Sequence, residues 1–352
     1  MSDHKKYLIG ISVGDINGIG IEVFIKTFTD TRMMEWCTPV VYGSSRVIAQ
    51  HRKNLNLGSF NFNVASGIDR LQANTVNIIT VWEDDPNVQF GAINENGGKY
   101  AFLSLQAAVK DLKEGKIDAL VTAPVNKKNI QSENFPFTGH TGYLVQQSGE
   151  TDHIMMLCSN EMRVGLLTEH IGLSDVYKYI TRESILKKLA TIQGSLIRDF
   201  GIDKPKIAVL GLNPHAGDDG IIGREEIDII KPAIAEAIST NMLAFGPYSA
   251  DGFFGSGNYK KFDAILAMYH DQGLIPFKAL YFDSGVNYTA GLPFVRTSPD
   301  HGTGFDIAGK NVAHEESFRH AVFLAIDILR NREGYAERTS NPLKKIEIPK
   351  ER

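Results

Sequence analysis

Short apolar runs that alternate with amphipathic helical stretches constrain this chain more than any other feature. YLIGISV (7–13), Val40 to Tyr42, VNIITVW (76–82), DALVTAPV (118–125), MRVGLLT (162–168), KIAVLGL (206–212) and DAILAMY (263–269) have the length and aliphatic character of buried strands. Between them the period changes. IEVFIKTF starts a helix, and Phe102, Leu105, Ala108, Val109 and Leu112 recur at helical spacing until Gly115 supplies a stop. Residues 183–201 read as an amphipathic helix ended by Gly201, 225–239 as a helix bent at Pro232, and 316–332 as a long helix near the C-terminus. The polar tail from Asn341 onward offers little to bury. Neither a fixed-period repeat nor a low-complexity segment interrupts the pattern. It predicts a layered α/β fold, and 352 residues give room for two domains.

Polar, reactive residues stand just past the carboxyl ends of these strands. Gly14-Asp15 follows the first, and Thr122 and Asn126 close another. Glu169-His170, Asn213 and His215, and His270-Asp271-Gln272 follow three more. In open α/β sheets the ligand crevice lies outside those strand ends. His170, His215 and His270 at three matching places suggest imidazole ligands to one divalent metal, with Asp251 and Asp271 completing or orienting the shell. Taken singly, each histidine reads as a turn cap; as a set, the shared-site reading is stronger. No pair has a local metal motif.

Charge and composition remove several function classes. The net charge of −4 and the dispersed Lys and Arg give no nucleic-acid footprint. No apolar stretch approaches the length of a membrane span, and the N-terminal apolar run reads as a core strand, not a signal peptide. Cys37 and Cys158 lack ligand spacing and read as small core or surface thiols in a reducing cytoplasm, with a disulfide between them as the weaker alternative.

Four further stretches carry chemistry. GDINGIG (14–20) matches neither common nucleotide-loop pattern, so a tight strand-to-helix turn is the better reading. FTGHTGYL offers His140 and Thr141 to an anionic oxygen, or Thr141 as an ordinary helix cap. Residues 275–298 set Lys278, Asn287 and Arg296 among apolar neighbours, where a cation needs an anion or a structural ion pair. DHGTGFDIAGKN (300–311) is a cofactor-contacting loop or a simple turn.

Taken in order, GHT, LNPHAG followed by GREE, YHDQGL, and GLPFVRTSPDHGTGFDIAGKN resemble the 4-hydroxythreonine-4-phosphate dehydrogenase family of vitamin B6 biosynthesis. The resemblance runs from Gly14 to about Gly309. SVGDINGIGIE lacks the prolines usual in that family, Pro299 replaces an aliphatic residue, and TEH and PFK are local variants.

The resemblance implies a fold like isocitrate and isopropylmalate dehydrogenases, with two α/β/α domains and a cleft between them. Residues 1–128 with 290–352 would form one domain; 129–289 would form the second, with most metal ligands and the dimer interface. It implies a homodimer with shared sites, in which His170, His215 and His270 bind a divalent ion (Zn, Mg or Co) and His270 reaches in from the partner subunit. His140, Thr141, Lys278, Asn287 and Arg296 would bind substrate, with Lys278 and Asp251 catalytic. NAD, or NADP, would lie along Asn213, Gly217, His301, Gly302 and Thr303. The implied reaction oxidises a phosphorylated hydroxy-amino acid, 4-phosphooxy-L-threonine, and decarboxylates the product to 3-amino-2-oxopropyl phosphate. The alternatives are a dehydrogenase of D-threonate or D-erythronate 4-phosphate, and a non-catalytic sugar-phosphate binding protein on the same fold.

Overall fold

Twelve strands make one sheet: β1 Tyr7–Ser12, β2 Cys37–Gly43, β3 Phe62–Ala65, β4 Val76–Thr80, β5 Ala119–Thr122, β6 Ile154–Cys158, β7 Arg163–Leu166, β8 Lys206–Leu210, β9 Leu243–Tyr248, β10 Ala264–Ala267, β11 Val286–Ala290 and β12 Val295–Pro299. This is the arrangement in a computed structural model that describes residues 5–341 apart from 134 and 138. The polar tail from 342 onward lies outside those residues. The strand order is β3-β4-β2-β1-β5-β12-β11-β6-β7-β10-β8-β9. Pairing is parallel except at the centre, where β11 runs antiparallel to both β12 and β6, and β6 antiparallel to β7. Along the sheet, the half from β3 to β12 draws on residues 62–80, 37–43, 7–12, 119–122 and 295–299, and the other half on residues between 154 and 290.

Successive side chains on a strand point to opposite faces, so register decides what each face shows. On one face Ile9, Ile11, Val121, Val295, Tyr288, Met156, Val209 and Leu266 share a core that spans the whole sheet. The helices Gly20–Thr29, Arg182–Arg198 and Glu316–Thr339 cover it. The last of these buries Phe318, Val322, Ala325 and Ile326 at helical spacing.

The opposite face has two separate cores. Val40, Tyr42 and Leu120 pack under Leu105 and Val109 of the helix Glu95–Lys113. Leu157, Val164, Leu166 and Ile265 pack under Leu274 and Phe277 of the helix His270–Tyr281. Between them the central strands carry polar side chains. Arg296 is in register with Leu120, Asn287 with Leu157, and Thr289 with Met155, so all three point to this second face. A polar strip bounded by two apolar cores is therefore the floor of a cleft.

The expected strands and helices are present, with shifted ends. The C-terminal helix runs on to Thr339, and the helix expected at 101–115 starts at Glu95, capped by the Asn94 side chain. The irregularity expected at Pro232 lies just before it. Residues Glu226–Ile230 form a π-helical turn, and Pro232 sits in the first turn of the helix Lys231–Ser239, where a missing N–H costs little. Strands β3, β6, β9, β11 and β12 and the helices Ser45–Asn54 and His270–Tyr281 were not expected. Gly273 and Pro276 hide the latter helix in sequence. Cys37 and Cys158 are both buried and free.

Candidate active site

A cavity of about 420 Å³ lies over the polar strip. Arg296 forms its floor and is 3% exposed. Its Nε and Nη2 donate to Thr122 Oγ1 (3.1 and 2.7 Å), and Nη1 donates to Thr289 Oγ1 (3.3 Å). Among the described residues it makes no ion pair. Burial draws its guanidinium down to about 10, which still leaves it protonated at neutral pH. A buried cation without an acid is costly unless an anion arrives.

Around Arg296 stand polar atoms with no partner. Asn287 Oδ1, His140 Nε2, His301 Nε2 and Asp300 Oδ2 are buried and make no hydrogen bond among the described residues, and all four residues line this cavity. Orphans of this kind are rare in folded proteins, and their convergence points to a ligand. His140 and Thr141 open the helix His140–Ser148, whose first-turn N–H groups favour negative charge. Burial, and then the Arg296 charge, hold the His140 imidazole well below its usual range, so it is neutral.

Lys278 reaches the wall from the helix His270–Tyr281. Its Nζ lies 3.2 Å from Asp300 Oδ1 and donates to the Asp300 carbonyl at 3.3 Å. Burial raises the Asp300 carboxyl, with Lys278 opposing. Lys127, His153, Glu169 and His170 complete the wall. Sequence reading passed over Lys127 and His153. Lys127 follows a strand end already marked by Asn126, whereas His153 precedes β6, a strand the periodicity did not reveal.

The histidines divide. His170 and His270 face each other within one chain, ring centroids 5.8 Å apart, and both line a second cavity beside the first. Burial, then Lys127, lowers His170, which favours the neutral imidazole; Glu169 opposes this. His270 Nδ1 lies 2.8 Å from Asp271 Oδ1, a contact in which Nδ1 donates to the carboxylate and Nε2 is the nitrogen left to face a ligand. His215 stands apart, exposed, on the turn Pro214–Gly220 and near enough to Asp251 to help lower its carboxyl, after Ser249 and a backbone N–H. Among the described residues no three His, Cys, Asp or Glu side chains are grouped to hold an ion.

The turn carrying His215 is left-handed from His215 to Asp219, with φ between 44° and 82°. Outside glycine this conformation costs about 1–2 kcal/mol per residue. Buried Glu226 holds it: Oε1 accepts the N–H groups of Leu212 and Asn213 (2.7 Å each), and Oε2 accepts Asn213 Nδ2 (2.9 Å). A Cβ on Gly217 would lie 2.6 Å from Glu226 Oε2. Asn213 and Gly217 thus have structural work on this turn, and neither lines the main cavity.

The other Gly-rich loops form one brace. Ile19 N–H donates to the Thr303 carbonyl (2.9 Å), and a Cβ on Gly18 would lie 2.7 Å from that oxygen. Asp15, fully buried, accepts from Asn17 N–H (2.9 Å) and Asn129 Nδ2 (2.7 Å). GDINGIG is therefore a turn that props the 301–304 loop from behind. His301 and Gly302 of that loop face the cavity, and a Cβ on Gly302 would meet nothing within 4 Å.

Known proteins share this sequence and fold. The family model for pyridoxal phosphate biosynthetic protein PdxA matches residues 35–325. A 4-hydroxythreonine-4-phosphate dehydrogenase of Bacteroides thetaiotaomicron is 49% identical over 344 residues, 97% of this chain and 94% of its own. A protein of Oceanobacillus iheyensis, provisionally named a D-threonate 4-phosphate dehydrogenase, is 36% identical over 92% of this chain and 98% of its own. The crystal structure of 4-hydroxythreonine-4-phosphate dehydrogenase from Klebsiella pneumoniae matches with a TM-score of 0.80 at 33% identity, covering 93% of this chain and 99% of that one.

Proposed function

This chain belongs to the PdxA family of pyridoxal phosphate biosynthetic proteins, and from that membership we propose that it is the dehydrogenase of 4-phosphooxy-L-threonine. The reaction is NAD-dependent and metal-dependent oxidation, followed by decarboxylation to 3-amino-2-oxopropyl phosphate in a cytoplasmic pathway to pyridoxine 5'-phosphate. One observation carries this reading. A buried guanidinium without an acid and a ring of unpaired buried polar atoms line a single cavity, as a small phosphorylated acid requires.

Arg296, His140, Thr141 and Asn287 bind the anionic ends of the substrate, with charge-assisted hydrogen bonds from the guanidinium. Lys278 is fixed by Asp300, and this pair holds the exchangeable proton at the cavity wall. We assign it to taking the proton of the oxidised hydroxyl and returning one to carbon after carbon dioxide leaves. The donor set fits a divalent ion: His170 is neutral, and His270 keeps Nε2 free through its contact with Asp271. His215, with Asp251 beside it, completes the set from a second copy. His301 offers an imidazole nitrogen and Gly302 open backbone to NAD, and Thr303, Asn213 and Gly217 are assigned to the same cofactor. When bound, the ion supplies Lewis acidity at the substrate hydroxyl and the nicotinamide supplies the hydride acceptor.

A homodimer follows from this division of ligands. Leu173, Tyr177, Ile275, Leu280 and Phe282, on the segments that follow His170 and His270 in the chain, are exposed apolar side chains suited to cover by a second copy. The two domains are residues 1–128 with 290–352, and 129–289.

NAD reduction with 4-phosphooxy-L-threonine, D-threonate 4-phosphate and D-erythronate 4-phosphate, with and without chelator, tests the proposal. Turnover of the first, lost on chelation and restored by Zn, Mg or Co, is expected. Preference for the second, the reading that the Oceanobacillus relative favours, would overturn the substrate assignment. Failure with all three would overturn the enzyme reading.

A further inference from the structure

The charged groups of the main cavity do not cancel one another. Lys278 is matched by Asp300. Arg296 and Lys127 make no ion pair among the described residues, and both line the cavity. One carboxylate on the same wall also lacks an ion pair, although the Lys188 ammonium lies within range of its charge. Glu169, placed just beyond β7, makes no ion pair among the described residues, and its only hydrogen bond there is from the Met155 N–H to Oε1, at a long 3.3 Å. The other oxygen has capacity for further bonds.

A cavity built only for phosphate and carboxylate gains nothing from such an acid. Its field opposes the binding of any anion that comes near. The pattern of unmatched cations with one carboxylate that lacks an ion pair complements a ligand with anionic ends and one positive group between or beside them. We propose that Glu169 is a specificity-determining residue that accepts the ammonium group of the substrate, and that it selects 2-amino over 2-hydroxy acid phosphates. This rests on the substrate class proposed above and names the feature that decides within it.

4-Phosphooxy-L-threonine and D-threonate 4-phosphate make a matched pair, because they share phosphate, carboxylate and reacting hydroxyl and differ at C2, ammonium in one and hydroxyl in the other. A charge-assisted hydrogen bond is enough for roughly a ten- to hundredfold preference. The removal of one charge must therefore appear as a changed ratio between the two compounds, not as a general loss.

The experiment is calorimetric titration of the metal-loaded wild-type protein, Glu169→Gln and Glu169→Asp with each compound, without NAD, and NAD reduction on the same samples. The wild type is expected to bind the amino compound about ten- to a hundredfold more tightly than the hydroxy compound. Glu169→Gln should bring the two within about threefold, chiefly by weakening the amino compound, and Glu169→Asp should keep most of the preference. Equal weakening of both compounds by Glu169→Gln, an unchanged ratio, or no wild-type preference would overturn the assignment. The binding ratio decides the role of Glu169. Preferential binding without NAD reduction would leave that role intact and overturn the dehydrogenase reading instead.

Discussion

Replacement of Arg296 by methionine separates ligand binding from structural support, because the two roles predict opposite signs. Burial lowers the guanidinium from its ordinary value to about 10. At about 1.4 kcal/mol per pKa unit, keeping that charge in the ligand-free fold costs roughly 3 kcal/mol. Here the folded pKa of a base lies below its unfolded value. The penalty is therefore fully present below about pH 10 and fades only as pH rises from there toward the ordinary arginine value. Against it stand the hydrogen bonds to Thr122 and Thr289, about 1 kcal/mol net for each partner. Methionine removes the charge and those bonds while filling much of the space. The ligand-free Arg296→Met protein should thus melt at the wild-type temperature or slightly above it. Substrate binding should suffer, since each lost charge-assisted bond is worth about 1.5–3 kcal/mol, or roughly ten- to a hundredfold in KM. The KM for NAD should change far less. Thermal melts with and without substrate, together with both KM values on one sample, give the answer. A melting temperature several degrees lower with an unchanged substrate KM would refute the reasoning and make Arg296 a structural residue.

Two further outcomes are expected. If His215 and His270 are supplied to one metal centre by different copies, mixed His215→Ala and His270→Ala subunits should regain activity, with one intact site per heterodimer; no recovery despite proven subunit exchange would place each centre within one chain. His51 is buried with Nε2 2.9 Å from the Ile16 carbonyl, and burial holds its pKa down to about 4. The unfolded chain takes up a proton that the folded one refuses, so stability falls as pH drops from about 6.5 toward 4, by about 2 kcal/mol at pH 5 from this residue. Urea midpoints at pH 7 and pH 5 should lie closer together in His51→Gln than in the wild type.

The alternating apolar pattern carried most of the fold. KIAVLGL and DAILAMY are buried strands because four to seven consecutive aliphatic residues leave few other stable choices. Strand-end chemistry was also visible: His170, His215 and His270 were marked from their positions, and the structure brings His170 and His270, but not His215, to one cavity beside the main one. Hidden elements were those whose local signals conflict with their state. The helix His270–Tyr281 contains Gly273 and Pro276, yet the apolar contacts of Leu274 and Phe277 outweigh their cost. Strand β12 reads VRTSP, with an arginine, two hydroxyls and a proline in a span that the fold buries completely.

Sequence by itself determined that Arg296 and Lys278 sit in apolar surroundings and need an anion. It did not separate a bound ligand from an ion pair. For Lys278 the third dimension supplied Asp300; for Arg296 it supplied only threonine hydroxyls. It also assigned Asn213 and Gly217 to holding a left-handed turn on Glu226, and left Glu169 without an ion pair among the described residues. Periodicity is a local property, fixed by the geometry of a single strand or helix, and so the chain records it. Whether a buried charge is matched depends on other segments of the chain, 22 positions away for Lys278 with Asp300 and 174 for Arg296 with Thr122, and only packing brings those into reach.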